Sequence, residues 1–322
     1  MKKVVTIGGG GGHSQILKAL KNFPDICITG ICPSTDSGGS TGILQKEYEG
    51  SGYTGDLTKC ILALCTDTIL IDAFSYRYKK GPLDLHSVKN LFFHALEKVS
   101  SPEKALESMW KICGLGCHRV IPVTSKKTQL HASLSQGNVI AGETAIDTVY
   151  KNPLWNAKSN FISDVYLKPQ VKASNMAINA IKDADFIVIC PGDLYSSIIP
   201  VMLPTGVKTS LADSKAVIIL ILNIMTKKGE TDNYSAGDFI RKIENRLGRT
   251  VDHILYNSAV IPKKILLKYS FEQKVKLKAS EKSSDKRIKS FPIAAISKSG
   301  QIYSNPKIIE KALHHIISVD NS

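Results

Sequence analysis

The stretch Lys3-Val4-Val5-Thr6-Ile7-Gly8-Gly9-Gly10-Gly11-Gly12-His13-Ser14 decides how the rest of this chain is read. Its opening residues have the length and β-branched content of a buried strand, and Gln15-Ile16-Leu17-Lys18-Ala19-Leu20 behind it repeats its apolar residues at helical spacing. A strand, five glycines and a helix start make a phosphate cradle. Without Cβ atoms the backbone turns sharply and brings its N–H groups close to a diphosphate, and the dipole of the following helix attracts the anion. Gly9, Gly10, Gly11, Gly12, His13 and Ser14 are therefore the first candidate ligand-binding residues. The dinucleotide fingerprint wants a small third residue where this chain has His13, which weakens a nicotinamide-dependent dehydrogenase.

Length and composition set the frame around that loop. The chain has 322 residues and 43% apolar content, enough for one large α/β domain or two smaller ones. The apolar residues after Met1 run out into glycine within a few positions, and the run from Ala216 to Leu222 is far short of a membrane span. The expectation is a cytoplasmic protein with no membrane partner. Seven cysteines with no Cys-x-x-Cys pair argue against a disulfide framework or a zinc ribbon, and no metal ligand set is assigned. Cys113, Cys117 and His118 lie close in sequence, but a turn at Gly114-Leu115-Gly116 explains them more simply. The net charge is +14, and the stretch from Ser258 onward holds 13 Lys and Arg against 5 Asp and Glu. Such a basic segment can serve nucleic acid, an anionic membrane surface or an acidic protein partner; without interleaved aromatics or a helix-turn-helix pattern a solvated basic face explains it more simply, nucleic acid is disfavoured, and a protein partner stays open. A homo-oligomer stays open.

Along the chain the α/β rhythm continues. A second strand over 26–32 leads into Thr35-Asp36-Ser37-Gly38-Gly39-Ser40, which in a doubly wound sheet lies beside the first loop, at the carboxyl ends of the strands. Asp36 is then placed for a ribose hydroxyl or a phosphate-bound cation, and its hydroxylated neighbours offer donors. Tyr53-Thr54-Gly55-Asp56 precedes another helix, with Asp56 as cap or site carboxylate. An amphipathic helix over 83–99 puts His86 and Asn90 on one face. From 119 to 167 short alternating runs around Gln136-Gly137-Asn138 predict an antiparallel hairpin subdomain. A helix over 175–182, a strand over 185–190 and the turn Gly192-Asp193-Leu194-Tyr195-Ser196-Ser197 repeat the geometry of the first loop, suggesting a second anchor for one extended anionic ligand. Strands over 215–222 and 252–257 follow, ending in Asn223, Thr226 and Asn257 as candidate base or sugar contacts. Residues 274–289 read as irregular and 306–317 as a terminal helix. The predicted fold is α/β, a Rossmann-like, doubly wound, mostly parallel sheet with an appended small antiparallel subdomain. Residues 1–257 would form the ligand-binding domain and 258–322 a basic extension that packs on it or trails from it.

Seven motifs in series carry a resemblance: Ile-Gly-Gly-Gly-x-Gly-x-Ser from Ile7, Asp36-Ser-Gly-Gly-Ser-Thr-Gly, Gly55-Asp-Leu, His86-Ser-x-x-x-Asn-Leu with Lys89 inside it, Gly142-Glu-x-x-Ile, Pro191-Gly-Asp-Leu-Tyr-Ser-Ser-Ile and Asn223-Ile-Met-Thr-x-x-Gly-Glu-Thr-Asp-x-Tyr. Together they resemble the gluconeogenesis-factor (YvcK-like) branch of the 2-phospho-L-lactate transferase (CofD-like) family over residues 3 to about 257. The resemblance implies a Rossmann-like cytoplasmic protein holding a nucleotide across the strand ends. In the gluconeogenesis-factor branch it implies UDP-sugar binding with roles in carbon metabolism, cell shape and wall synthesis. In the transferase branch it implies transfer of a phospho-linked group from a nucleoside-diphosphate donor, with Mg²⁺. Three departures stand out. The family's paired aspartates are Asp36-Ser37 here, its Pro-Pro is Tyr53-Thr54, and its glycine before Asn-Leu is Lys89. Its C-terminal Arg-His-Asp pattern has no counterpart in the basic segment. The leading expectation is a nucleotide-sugar-binding regulator, the alternative a transferase.

Overall fold

The computed structural model describes residues 1–48, 54–270, 276–278 and 285–319. Tyr53, just before the third motif, and much of the 274–289 stretch lie outside them. Twelve strands occur among the described residues. In chain order they are β1 (Lys2–Ile7), β2 (Ile26–Cys32), β3 (Arg119–Pro122), β4 (Gln129–Leu134), β5 (Val139–Ala141), β6 (Ile162–Lys168), β7 (Phe186–Ile189), β8 (Val217–Ile221), β9 (His253–Asn257), β10 (Ile288–Phe291), β11 (Ala294–Ile296) and β12 (Ile302–Ser304).

Seven of them form one parallel sheet in the order β10-β9-β8-β7-β1-β2-β3. Counting only these seven, that is the doubly wound order 3-2-1-4-5-6 with one strand added, and the order reverses between β1 and β7. The central strands are apolar on both faces because helices cover both. Val4, Val5, Ile7, Ile28, Ile31, Ile187, Ile189, Ile219 and Leu255 are all buried. The register of β1 against β7 pairs Ile7 with Ile189. Both strands therefore end at the same level, and both succeeding loops leave the sheet on the same rim.

The helices that matter for the site are α1 (Gly10–Leu20), α2 (Gly39–Tyr48), α3 (Thr54–Leu64), α4 (Thr68–Ser75) and α5 (Val88–Val99). The last of these starts five residues later than its apolar periodicity suggests, because residues 76–87 fold back on themselves through an Arg77–Ser87 bridge, with Leu85 at φ 67°. Helix Ala236–Leu247 is capped by Ser235 in a capping box with Asp238, as its Ser-x-x-Asp pattern foretells.

Two expectations change. Residues 119–122 leave the predicted hairpin and join the main sheet as its edge strand β3, since Val120 and Ile121 are both buried rather than alternating. The three-stranded antiparallel sheet β5-β4-β6 is thus an insertion starting at Gln129, with Gly137 at φ 90° in its turn. Nor does the sheet stop at Asn257. β10 extends it in parallel, Lys276 and Lys278 bridge to Met225 and Ser235, and helix Pro306–Val319 buries Ile309, Ala312, Leu313 and Ile316 in the common core. Among the described residues no helix is long and apolar enough to cross a membrane.

Candidate functional site

The glycine loop and the Pro191-Gly192 turn meet at the point where strand order reverses. A Cβ on Gly12 would overlap the Pro191 carbonyl oxygen and lie 2.8 Å from its carbon, and a Cβ on Gly192 would come 3.7 Å from the Gly9 oxygen. At position 12 only glycine permits that approach. Helix α1 begins at Gly9 with no cap from that residue itself, and the Asp56 carboxylate accepts from the Gly10 amide in its first turn; the dipole of the helix points at the crevice.

Two cavities open on either side of this junction and share Gly11 and Gln15. The first, about 670 Å³, lies between α1, the Asp36 loop, α3 and the start of α5. Of the sequence-predicted residues it brings together Gly11, Ser14, Asp36, Gly38, Gly39, Ser40, Asp56 and Asn90. Its walls add Lys18, Thr41, Lys59, Arg77 and Lys89. The second, about 790 Å³, gathers Gly11, Gly12, Gly192, Asp193, Asn223 and Thr226, with Lys227 and a far wall of Lys268, Tyr269, Gln301, Tyr303 and Ser304.

The first cavity carries several charged and hydroxyl groups on its walls. Asp36 accepts from the Gly38 amide at 3.0 Å and from the Thr41 hydroxyl at 2.9 Å, which turns its loop into the start of α2. A Cβ on Gly9 would overlap the Asp56 carboxylate, and one on Gly55 would overlap that of Asp36. The glycines thus let two carboxylates crowd one corner. Burial and the neighbouring Asp36 charge push Asp56 up to about 7, and burial raises Asp36. Across the loop, burial and Asp36 push Glu143 up to about 7, while its carboxylate faces the Ser37 amide. Cations answer them. Lys89 donates to the Asn90 Oδ1 at 2.9 Å and to Thr58 at 3.3 Å, and burial together with Lys59 and Arg77 lowers it to about 8. The residue that replaces the family's glycine therefore points a cation at the carboxylate pair. A corner of carboxylates, hydroxyls and ammonium groups suits a phosphate with a hard divalent cation.

The second turn plays a different part from the one its sequence suggests. Asn223 clamps Gly192, taking its amide at 3.0 Å and donating to its carbonyl at 2.7 Å. Buried Glu230 accepts from the Tyr195 amide (2.7 Å), the Ser196 amide (3.3 Å) and the Ser196 hydroxyl (2.6 Å). Those donors are turned away from the crevice, and Leu194 is fully buried. Burial and Asp193 push Glu230 up to about 8. Lys227 joins Asp193 at 3.2 Å to Asp147 of the insertion at 2.7 Å; burial opposes its charge, but the two carboxylates outweigh it and raise its pKa. The turn is a braced wall rather than a second set of open amides.

Other candidates are structural. His13 is fully buried, donating from Nδ1 to the Gly8 carbonyl at 2.8 Å and accepting at Nε2 from Thr6 at 2.7 Å, so it fixes the strand-to-helix turn from beneath. Gly10 sits at φ 64°, where the chain turns into α1. Ser37 ties its loop to Thr144 at 3.1 Å, and Thr35 is buried below it. Ser197 donates its amide to the Asp193 carbonyl. Asn257 takes the Ala294 amide at 2.8 Å and does not line either cavity. The missed lysines had a signal, since Gly11, Gln15 and Lys18, like Asp56, Lys59 and Ala63, follow one helical face. Tyr269, Gln301 and Tyr303 had none.

The chain belongs to the family described as 2-phospho-L-lactate transferase CofD, whose pattern matches residues 4–297. Within that family it is similar to proteins called gluconeogenesis factors. It is 34% identical over 87% of its length to the putative gluconeogenesis factor of Clostridium acetobutylicum, of which it spans 61%. It is 36% identical over 84% of its length to that of Thermotoga maritima, and over 82% to the gluconeogenesis factor of Listeria monocytogenes, spanning 83% and 80% of them. A crystallised UPF0052-family protein from Bacillus halodurans superposes with a TM-score of 0.88 at 29% identity, covering 97% of this chain and 99% of that one.

Proposed function

We propose that this chain is a cytoplasmic nucleotide-sugar-binding regulator of carbon metabolism and cell shape. The observation that carries the reading is the backbone contact of Gly12 with Pro191 at the strand-order reversal, flanked by two cavities that share Gly11 and Gln15. A diphosphate lies on the amides of Gly11 and Gly12, with Ser14 and Lys59 beside it. One arm of the ligand enters the Asp36–Asp56 cavity and the other enters the Asn223–Thr226 cavity. Titration with UDP-sugars in a thermal-shift assay tests this. A ligand at 100 times its dissociation constant stabilises by about 2.7 kcal/mol and raises the unfolding midpoint; indifference to every nucleoside diphosphate refutes it.

A second reading, a transferase using a nucleoside-diphosphate-linked donor, is favoured by the partnership of Asp36 with Asp56. That pairing brings two carboxylates together where the sequence has only one aspartate in the loop. Asp36, Asp56 and the Thr41 hydroxyl would hold Mg²⁺, which would neutralise phosphate charge. Release of free nucleotide from such donors with Mg²⁺ and acceptor, above a protein-free control, supports it; no release counts against it.

A further inference from the structure

We propose that Cys27, Cys117 and His118 form a site for one thiophilic d¹⁰ cation, Zn²⁺, on the rim of the sheet opposite the glycine crevice. The register of β2 against β3 sets Thr29 opposite Arg119, so two residues earlier on each segment Cys27 comes opposite Cys117. The turn through Gly114 and Gly116, at φ 64° and 57°, returns the chain to that position. The two Sγ atoms and a His118 ring nitrogen all lie within 4.8 Å of one another, and each residue is half-buried, within reach of solvent. His118 Nδ1 is 3.8 Å from Cys117 Sγ. Tetrahedral zinc with bonds of about 2.0–2.3 Å needs ligand separations of roughly 3.5–3.8 Å, a small inward movement.

The tautomer is right. The Ile28 amide donates to His118 Nδ1 at 3.2 Å, so that nitrogen carries the lone pair and Nε2 the proton. A cation would take the lone pair in place of this long hydrogen bond, and the Cys27 thiol would give up its contact with the Cys117 carbonyl at 2.8 Å. Two thiolates cancel the charge of Zn²⁺, and that neutral complex suits a place flanked by Lys3 and Arg119. Arg119 is itself held on the Gly116 and His118 carbonyls and over Trp110. Soft sulfur ligands with imidazole select zinc over Mg²⁺ or Ca²⁺. Cys113, the neighbour in sequence, is buried and stands outside the group. The other cysteine-histidine group, His13 with Cys32 and Cys60, is fully buried with both ring nitrogens of His13 already engaged.

The experiment uses the full chain, reduced and stripped of metal, titrated with Zn²⁺ against a chromophoric chelator and, separately, with Co²⁺. One equivalent binds, Co²⁺ gives a thiolate charge-transfer band, and Zn²⁺ raises the unfolding midpoint. Cys27→Ser and Cys117→Ser each weaken binding by about 100-fold or more and reduce the band, the double variant abolishes it, and Cys113→Ser keeps both. Midpoints measured without metal establish that each variant is folded. The proposal is overturned if the reduced wild-type chain binds no zinc, if both serine variants at 27 and 117 still bind it, or if Cys113→Ser loses it as fully as Cys117→Ser.

Discussion

Substituting Gly12 by alanine isolates the contact on which the crevice depends. On helix propensity alone the change favours folding by up to about 1 kcal/mol. The new Cβ, however, would overlap the Pro191 carbonyl oxygen and lie 2.8 Å from its carbon. That obstacle is backbone, anchored by β7 on one side and by Asn223 on the other, so it cannot swing away as a side chain would. Forcing extra volume into a packed contact costs about 1–3 kcal/mol in typical cases, and here the carbonyl must retreat, which overcomes the propensity gain. Gly12→Ala should therefore lower the unfolding midpoint by roughly 1–4 °C. Gly11→Ala is the control. Its Cβ meets only the Lys59 Nζ at 3.9 Å, so the same chemical change one residue earlier should leave the midpoint unchanged or slightly higher. Calorimetry of both proteins, with and without a nucleoside diphosphate, reads the result. If Gly12→Ala melts at or above wild type, the two turns do not support each other and the reasoning is wrong.

Other outcomes follow from the same geometry. Because burial raises Asp56 to about 7, well above its unfolded value, its contribution to stability is full below about pH 4 and is lost as pH rises through 7. Denaturation curves across that range should flatten in Asp56→Asn. Lys89, lowered to about 8, loses its charge above that pH, so diphosphate affinity should fall from pH 7 to 9 in the wild type and hold in Lys89→Arg, as isothermal titration would show. Asn223→Ala strips both partners from the Gly192 backbone and should cost about 1–3 kcal/mol in urea unfolding. Glu230→Ala leaves the Tyr195 and Ser196 amides unpaired and should cost at least as much.

Much of this architecture was legible before any coordinates. Continuous apolar runs such as Ile26–Cys32 and the capping pattern at Ser235 are local signals, and local physics honours them. β10 was hidden because Ile288-Lys289-Ser290-Phe291 is half-exposed at an edge, where one apolar face suffices and a lysine is tolerated. The crevice was legible as a place and less so as a set of hands. Glycines advertise backbone approach, but nothing near Tyr195 reveals that its amide is taken by a carboxylate 35 residues later. Likewise the second aspartate of the polar corner comes from α3 rather than from the residue beside Asp36.

The pairing of β1 with β7 has a consequence for biogenesis. Two strands that meet edge to edge are made about 180 residues apart, and at 5–20 residues per second a ribosome needs roughly 10–40 s between them. For that interval the nascent chain carries Lys2–Ile7 with one unpaired edge, open to wrong partners. The junction of Gly12 with Pro191 likewise cannot close until the chain beyond β7 has been translated, so the crevice is a late product of synthesis.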